Sequence, residues 1–262
     1  MRVVIQENYE KMSRWAAEHI AKAINEHKGN RPFVLGLPTG SSPLGVYKKL
    51  IELNKAGKVS FKNVVTFNMD EYVGLPHEHD QSYWYFMHDN FFNHIDIPAQ
   101  NINMLNGMAK DPVKECEDYE KKIASYGGID LFMGGIGVDG HIAFNEPFTS
   151  LNSRTGLRTL TTDTKIVNSR FFGNDPSKVP SYALSVGVGT VFDSKEVLVL
   201  INGHVKARAL AHTVEGGVSQ KWTCSALQMH NNAIIACDEA ACGELKVDTY
   251  RYFLDVESSE RL

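Results

Sequence analysis

The sequence predicts an α/β fold in which helices cover one mostly parallel sheet. Short apolar runs, such as residues 33–37 and 196–201, alternate with longer segments whose apolar residues recur at helical spacing. Several of these runs end in glycine, hydroxyl or acidic residues, as expected where parallel strands carry a ligand site at their carboxyl ends. The 262 residues, 43% of them hydrophobic, suffice for one large domain or two small ones, and we expect a single domain over 1–262.

The elements can be assigned in chain order from these patterns. Strands are predicted at residues 2–5, 33–37, 64–67, 129–133, 157–161, 196–201 and 233–237. Helices are predicted after the first strand as far as Gly29, from Leu44 onwards, at 112–126, from about 203 to Gly216, and at 244–256. Residues 77–94 are rich in histidine and aromatic residues. We interpret them as a lid or packing helix rather than a metal site, because they contain no His-Glu-x-x-His pattern.

Composition and charge exclude several classes of function. The net charge is -4 and the sequence has no run of basic residues, so it lacks the basic surface expected of a nucleic-acid-binding protein. The apolar runs are far shorter than the roughly 20 residues needed to cross a bilayer. No secretory signal is recognised, so we expect a cytoplasmic protein. The four cysteines lack metal or C-x-x-C spacing and are expected to be reduced and structural.

The most informative stretch is residues 134–147, where an apolar strand ends in a glycine-rich loop. Asp139, His141 and Glu146 lie within eight residues of one another in this loop. The glycines between them permit tight turns that residues with a Cβ would resist. An imidazole between two acids is the composition of a proton-handling site.

The same stretch satisfies a dinucleotide-binding pattern, Gly135-x-Gly137-x-x-Gly140. That pattern requires a helix to begin at its last glycine and an acidic residue about 20 positions further on. Pro147 interrupts the first requirement, and Asp163 lies in a Thr-rich segment typical of a turn or helix cap. We therefore do not expect a nicotinamide or flavin site.

Other strand ends carry further candidates. The loop after residues 33–37 contains Thr39, Gly40, Ser41 and Ser42 before a helix, which suits either a phosphate site or an ordinary capped turn. Asp70 and Glu71 follow the strand at 64–67. Asp70 is a candidate base, although the pair could also be a helix cap and its solvated neighbour.

Two cations complete the set of candidates. Arg170 could contact a phosphate through two nitrogens, although a lone arginine is more often a surface charge. Lys206 falls in a predicted first helical turn, where a cation needs an anionic partner or an exit to solvent.

Four segments together resemble the glucosamine-6-phosphate deaminase family: residues 35–40, 67–72, 140–147 and 168–172. The resemblance covers nearly the whole chain. It implies a Rossmann-like three-layer α/β/α sandwich with a mostly parallel sheet. It also implies conversion of glucosamine 6-phosphate and water to fructose 6-phosphate and ammonia in amino-sugar catabolism, without metal ion or organic cofactor.

The resemblance also implies roles for the candidate residues. Asp70 would move a proton from C2 towards C1, and His141 would open the sugar ring, with Asp139 and Glu146 orienting the imidazole. The 6-phosphate would be bound by residues of two kinds, the loop Thr39, Gly40, Ser41 and Ser42 and the cations Arg170 and Lys206.

Some family members are hexamers activated by N-acetylglucosamine 6-phosphate at a site between subunits. Thr149, Ser150, Arg158 and Tyr252 match that site by position. Gly156 stands where an arginine is expected, and Thr149 replaces a serine, so we expect activation to be impaired. A homohexamer is expected from the resemblance alone.

Two rival functions are considered. One is a sugar-phosphate lactonase or isomerase on the same fold. The other is a sugar-phosphate-sensing module, which would need a DNA-binding domain for which this chain has neither the spare length nor a basic recognition helix.

Overall fold

The central layer of the molecule is a seven-stranded sheet in which every neighbouring pair of strands is parallel. The computed structural model describes residues 1–262. The ten strands of the protein are β1 (Arg2–Gln6), β2 (Phe33–Leu37), β3 (Val64–Asn68), β4 (Asp70–Tyr72), β5 (Ile102–Asn103), β6 (Leu131–Gly135), β7 (Gly156–Thr159), β8 (Tyr182–Ser185), β9 (Glu196–Ile201) and β10 (Ala233–Asp238). The order across the large sheet is β1-β10-β9-β6-β2-β3-β5.

Helices cover both faces of this sheet. They are α1 (Tyr9–Glu26), α2 (Leu44–Lys55), α3 (Tyr83–Asn90), α4 (Pro112–Ser125), α5 (Thr162–Asn168), α6 (Val188–Phe192), α7 (Ala207–Val214) and α8 (Val247–Val256). Side chains alternate between the faces along each strand: Val4 belongs to an apolar cluster that includes residues of α1, α2 and α3, whereas Val3 and Ile5 belong to one that includes residues of α4, α6 and α7. The molecule is therefore a three-layer α/β/α sandwich, as expected.

The chain reverses its direction of travel across the sheet between two neighbouring strands. From β2 it proceeds through β3 to β5 at one edge, and from β6 it proceeds through β9 to β10 towards the other. Such a reversal leaves a crevice at the carboxyl ends of the two strands, where ligands of open α/β sheets bind. The loops after β2 and β6 border this crevice.

A second sheet stands beside the first. Its three strands are antiparallel in the order β4-β8-β7, and they cover a small apolar cluster that includes Tyr72, Phe144 and Phe172. The sequence patterns did not predict β4 or the antiparallel pairing, because strands of three or four residues are too short to show an alternation.

The longer elements match the sequence predictions, with boundaries that differ by up to a few residues. The strand predicted at 129–133 is β6 at Leu131–Gly135, and α7 begins only at Ala207, after a separate turn at His204–Lys206, and ends at Val214. The strand predicted at 157–161 is β7, which ends at Thr159 because Thr161 caps α5, its hydroxyl accepting a hydrogen bond from the Thr164 amide. The last helix begins at Val247 rather than at residue 244, because residues 239–242 form a separate turn capped by Asp238.

The four cysteines are free and buried, as predicted. Residues 77–94 contain the short helix α3, and the ring of His77 stacks on Trp84 with centroids 5.0 Å apart. No helix is long and apolar enough to span a membrane.

Candidate active site

The candidate residues converge on the carboxyl ends of four adjacent strands. In sheet order these strands are β9, β6, β2 and β3, and they lead respectively to Lys206, to the loop with Asp139 and His141, to the hydroxyl-rich loop, and to Asp70. The predicted site thus coincides with the point where the chain reverses direction across the sheet.

The hydroxyl-rich loop after β2 is braced from α1. The Tyr9 hydroxyl lies 3.1 Å from the carbonyl oxygens of Ser41 and Ser42 and accepts a hydrogen bond from the Gly45 amide at 2.8 Å. Gly40 adopts a φ of 97°, which favours glycine. The N-cap residue of α2, Pro43, makes no side-chain cap, so apart from the Gly45 amide the first turn leaves backbone N–H groups for an anion.

The loop is also tied to the neighbouring β9 loop. The Ser42 hydroxyl donates to the side-chain oxygen of Asn202 at 2.7 Å, and the following Gly203 amide donates to Asp238 at 2.9 Å. Sequence patterns did not single out Asn202 or Asp238, because their contacts join segments far apart in the chain.

Asp70 is a buried carboxylate to which no hydrogen bond is donated. Asp70 is 6% exposed. Burial, together with the nearby charge of Glu71, raises the pKa of the Asp70 carboxyl to about 8. Its backbone is held in β4, where it pairs with Ser185 of β8. A buried carboxylate without a structural partner is available to take a proton from a ligand.

Glu71 has a different environment from its neighbour. It is 1% exposed, and its carboxylate accepts hydrogen bonds from the amides of Tyr72 at 2.9 Å, Tyr83 at 2.8 Å and Trp84 at 2.8 Å. Burial nevertheless raises its pKa to about 7. The alternative that Asp70 is the helix cap and Glu71 its solvated neighbour is therefore wrong: Glu71 holds the start of α3.

The loop after β6 brings an imidazole between two acids. His141 Nδ1 lies 2.8 Å from Asp139 Oδ1 and 3.8 Å from Glu146 Oε2, although the Asp139 oxygen is not aligned with the ring N–H as in a hydrogen bond. Burial by itself would raise the pKa of Asp139, yet the adjacent His141 holds it below its ordinary value. One potential metal-ligand atom from each of Asp139, His141 and Glu146 lies within 4.8 Å of the other two, a spacing that would also permit a metal ion to bind.

Two glycines make this arrangement possible. A side chain at Gly137 would collide with the imidazole of His141 and the carboxylate of Asp139. Gly140 has a φ of 78°, and a Cβ there would lie 2.6 Å from the Trp222 ring. No helix begins at Gly140, and the next is α5 at Thr162, so the geometry required for dinucleotide binding is absent.

Lys206 points into the same site from the turn before α7. Its Nζ donates to the carbonyl oxygen of Ile136 at 2.5 Å. Burial lowers its pKa to about 8, against the opposing effect of Asp139, while the charge of Arg170 lowers it further. Because only one carbonyl oxygen accepts a hydrogen bond from the Lys206 ammonium, this group can still bind an anionic partner.

Arg170 lies in the turn after α5. Its side chain makes no ion pair with a carboxylate, and its guanidinium carbon lies 4.6 Å from the centroid of the Phe171 ring. A half-buried lysine, an arginine without an ion-pair partner and free backbone amides together suit a phosphate monoester, although the net charge of the protein is negative.

The residues matched to an effector site are not assembled within one chain. Arg158 donates to the Asn145 side-chain oxygen at 3.1 Å and to the Arg154 carbonyl at 2.6 Å. A Cβ at Gly156 would lie 2.7 Å from an Arg158 nitrogen. Tyr252 is 60% exposed on α8 and forms no hydrogen bond with Thr149, Ser150 or Arg158.

Residues 7–236 match the family described as glucosamine-6-phosphate isomerases and 6-phosphogluconolactonases. The chain belongs to this family. The resemblance recognised in the four sequence segments is thereby confirmed.

Relatives named glucosamine-6-phosphate deaminase are similar over the whole chain. The protein from Phocaeicola vulgatus is 66% identical over 99% of both chains. The one from Borrelia hermsii is 62% identical over 98% of this chain and 97% of its own.

Among solved structures, a monomeric glucosamine-6-phosphate deaminase is 40% identical, with a TM-score of 0.89 over 92% of this chain and 99% of its own. A 6-phosphogluconolactonase from Trypanosoma cruzi has a TM-score of 0.73 over 94% of this chain and 97% of its own at 18% identity, which shows a shared fold.

Proposed function

We propose that the protein converts glucosamine 6-phosphate and water to fructose 6-phosphate and ammonia. The observation that carries this proposal is the buried Asp70 carboxylate, which accepts no hydrogen bond. It lies at the same edge of the sheet as His141 with its two neighbouring acids and as the hydroxyl-rich loop after β2. The relatives named glucosamine-6-phosphate deaminase, with 62–66% identity, support the same substrate.

The 6-phosphate is bound first by the loop Thr39, Gly40, Ser41 and Ser42, with Arg170 and Lys206. When the phosphate enters, the Lys206 ammonium exchanges its carbonyl partner, Ile136, for a charged one, which is the stronger interaction. Binding energy at this remote group then positions the reacting carbons.

His141 serves the ring-opening step. It gives a proton to the ring oxygen and takes one from the anomeric hydroxyl, so the pyranose becomes an open-chain aldehyde. Asp139 and Glu146, at 2.8 and 3.8 Å from Nδ1, orient the ring.

Asp70 serves the isomerisation step. It removes the proton from C2 to form an enolamine and returns it to C1, which leaves an imine at C2. Water adds to that carbon and ammonia departs. Because its pKa is raised to about 8, the ionised Asp70 carboxylate is a stronger base than an ordinary carboxylate, and the ionised fraction grows as the pH approaches 8.

A product assay tests the proposal. The protein is incubated with glucosamine 6-phosphate at pH 7–8, and ammonia and fructose 6-phosphate are measured separately. We expect the two products in equal amounts. Absence of both would refute the deaminase function, and hydrolysis of a 6-phosphoglucono-lactone instead would favour the lactonase rival.

We also propose that the residues matched to an effector site no longer support activation by N-acetylglucosamine 6-phosphate. Gly156 contributes no charge, and Arg158 already donates to Asn145 and Arg154. A homohexamer is proposed from the family resemblance, and the solved relative of similar fold is described as a monomeric glucosamine-6-phosphate deaminase.

A further inference from the structure

Helix α5 contacts the candidate active site at both of its ends. At its start, Thr161 and Thr164 contact the carboxylate of Glu146. At its end, the side-chain amide of Asn168 donates to the Tyr72 hydroxyl at 3.0 Å, and Tyr72 lies two positions after Asp70 in the chain. Arg170 lies in the turn that follows the helix.

The two oxygens of Glu146 have unequal surroundings. Oε1 accepts from the Thr164 hydroxyl at 2.5 Å, the Thr161 hydroxyl at 3.2 Å and the Thr161 amide at 3.3 Å. Oε2 is buried without a hydrogen-bond partner and lies 3.8 Å from His141 Nδ1. The donors from α5 therefore determine which edge of the carboxylate faces the imidazole.

The helix cap alone does not account for the contact between the Thr164 hydroxyl and Glu146. The cap of α5 is made by Thr161, whose hydroxyl accepts from the Thr164 amide at 3.2 Å and also lies 3.1 Å from the Thr164 hydroxyl. The Thr164 hydroxyl is directed out of the helix to Glu146, and its short contact is the strongest of the three.

We propose that Thr164 is a positioning residue that turns the Glu146 carboxylate towards His141 and so couples the docking of α5 to ring opening. The proposal rests on the proposed function of Glu146 and His141. It adds that α5, which is followed by the turn that carries Arg170, must be seated on Glu146 before the imidazole is correctly oriented.

The test compares Thr164→Val, which keeps the shape of the side chain but removes the hydroxyl, with Thr164→Ser, which keeps the hydroxyl. Thr162→Val is the matched control, since Thr162 is exposed on the same helix and its side chain makes no hydrogen bond. We expect Thr164→Val to lower kcat about 10- to 100-fold, the range for a lost hydrogen bond to a charged group, with little change in KM. Thr164→Ser and Thr162→Val should both retain the kcat of the wild type.

A second readout distinguishes positioning from a general loss of order. The analogue 4,5-dideoxyglucosamine 6-phosphate lacks the hydroxyls that close the pyranose and furanose rings, so it bypasses ring opening. We expect Thr164→Val to be impaired much more with glucosamine 6-phosphate than with this analogue. Thr164→Ala, which removes the hydroxyl without adding an apolar group, carries the same test if circular dichroism shows that the valine variant is unfolded.

Three results would overturn the inference: an unchanged kcat in the hydroxyl-free variant, an equal loss in Thr164→Ser, or an equal loss with both substrates. These failures are distinct from failure of the proposed function. The latter appears as a wild-type protein that releases no ammonia from either compound.

Discussion

At the scale of single residues, the adjacent acids Asp70 and Glu71 serve different purposes because their donors differ. Three backbone amides bind Glu71, whereas none binds Asp70, although both are buried. The sequence identified Asp70 as a candidate but could not separate it from its neighbour. The amides of Tyr83 and Trp84 that decide the matter lie 12 and 13 positions further along the chain.

The buried charge of Asp70 has a cost in stability that depends on pH. Its pKa is raised to about 8 in the folded protein, above the ordinary value of 3.8. Between these values the folded chain keeps a proton that the unfolded chain has lost, so the free energy of unfolding falls as pH rises. We expect Asp70→Asn to be more stable than the wild type at pH 8, on the order of 2 kcal/mol, with a smaller difference at pH 5.

Urea unfolding at the two pH values measures this difference. The exposed Asp89 offers a matched control, since Asp89→Asn should change stability equally at both pH values. Equal stability of Asp70→Asn and wild type at pH 8 would mean that the carboxylate is not destabilised by its burial.

His141 is the second residue whose role can be separated from binding. Gln at this position keeps a polar side chain but cannot exchange a proton near neutral pH. We expect His141→Gln to lose about 100-fold or more in kcat/KM with glucosamine 6-phosphate and much less with the open-chain analogue 4,5-dideoxyglucosamine 6-phosphate. The ratio of the two losses is the measurement. A ratio near one would remove His141 from ring opening.

At the scale of elements, the shape of the hydroxyl-rich loop after β2 depends on a residue from α1. The Tyr9 hydroxyl contacts the carbonyls of Ser41 and Ser42 and the amide of Gly45. The sequence predicted the loop from its composition, yet gave no sign of Tyr9, because only folding brings α1 beside it.

We expect Tyr9→Phe to weaken phosphate binding because the loop loses this brace. The loss of one hydrogen-bonding group corresponds to a KM increase of about fivefold, with a smaller change in kcat. Steady-state kinetics provide the measurement. Tyr85→Phe is the control, since Tyr85 is exposed and its hydroxyl makes no hydrogen bond. A change confined to kcat would contradict a role in holding the phosphate loop.

How far the sequence predicted the elements depended on their length and on the range of their contacts. The buried apolar runs of β2 and β9 were predicted with the right bounds, whereas β6, whose strand runs on into its glycines, was predicted two residues too early. The antiparallel sheet of β4, β7 and β8 was missed, as were Thr161 and Thr164 as partners of Glu146. Those features arise from pairings between distant segments, which local patterns do not encode.

At the scale of the whole molecule, the large sheet explains why residues from four strand ends act together. The reversal between β2 and β6 opens one crevice, and β3 and β9 flank it. The expectation of one domain over residues 1–262 and the homohexamer both stay predictions. Light scattering would separate a 29.2 kDa monomer from an assembly six times that mass.

Regulation belongs to the same scale. We expect velocity curves for glucosamine 6-phosphate to keep their shape and midpoint when N-acetylglucosamine 6-phosphate is added. Gly156 supplies no cation, and Arg158 is held by Asn145 and Arg154. Steady-state velocities over a range of substrate, with and without the acetylated compound, make the comparison. A leftward shift of the curve would show that the effector site still functions.

The central claim is that Asp70 takes the C2 proton of the substrate. Its most direct test is to incubate glucosamine 6-phosphate in heavy water with wild type and with Asp70→Asn, and to follow proton exchange by nuclear magnetic resonance. The account predicts that the wild type releases ammonia and incorporates deuterium at C1 or C2. The variant should bind the substrate but show neither reaction. Deuterium incorporation at the wild-type rate in Asp70→Asn would contradict the claim.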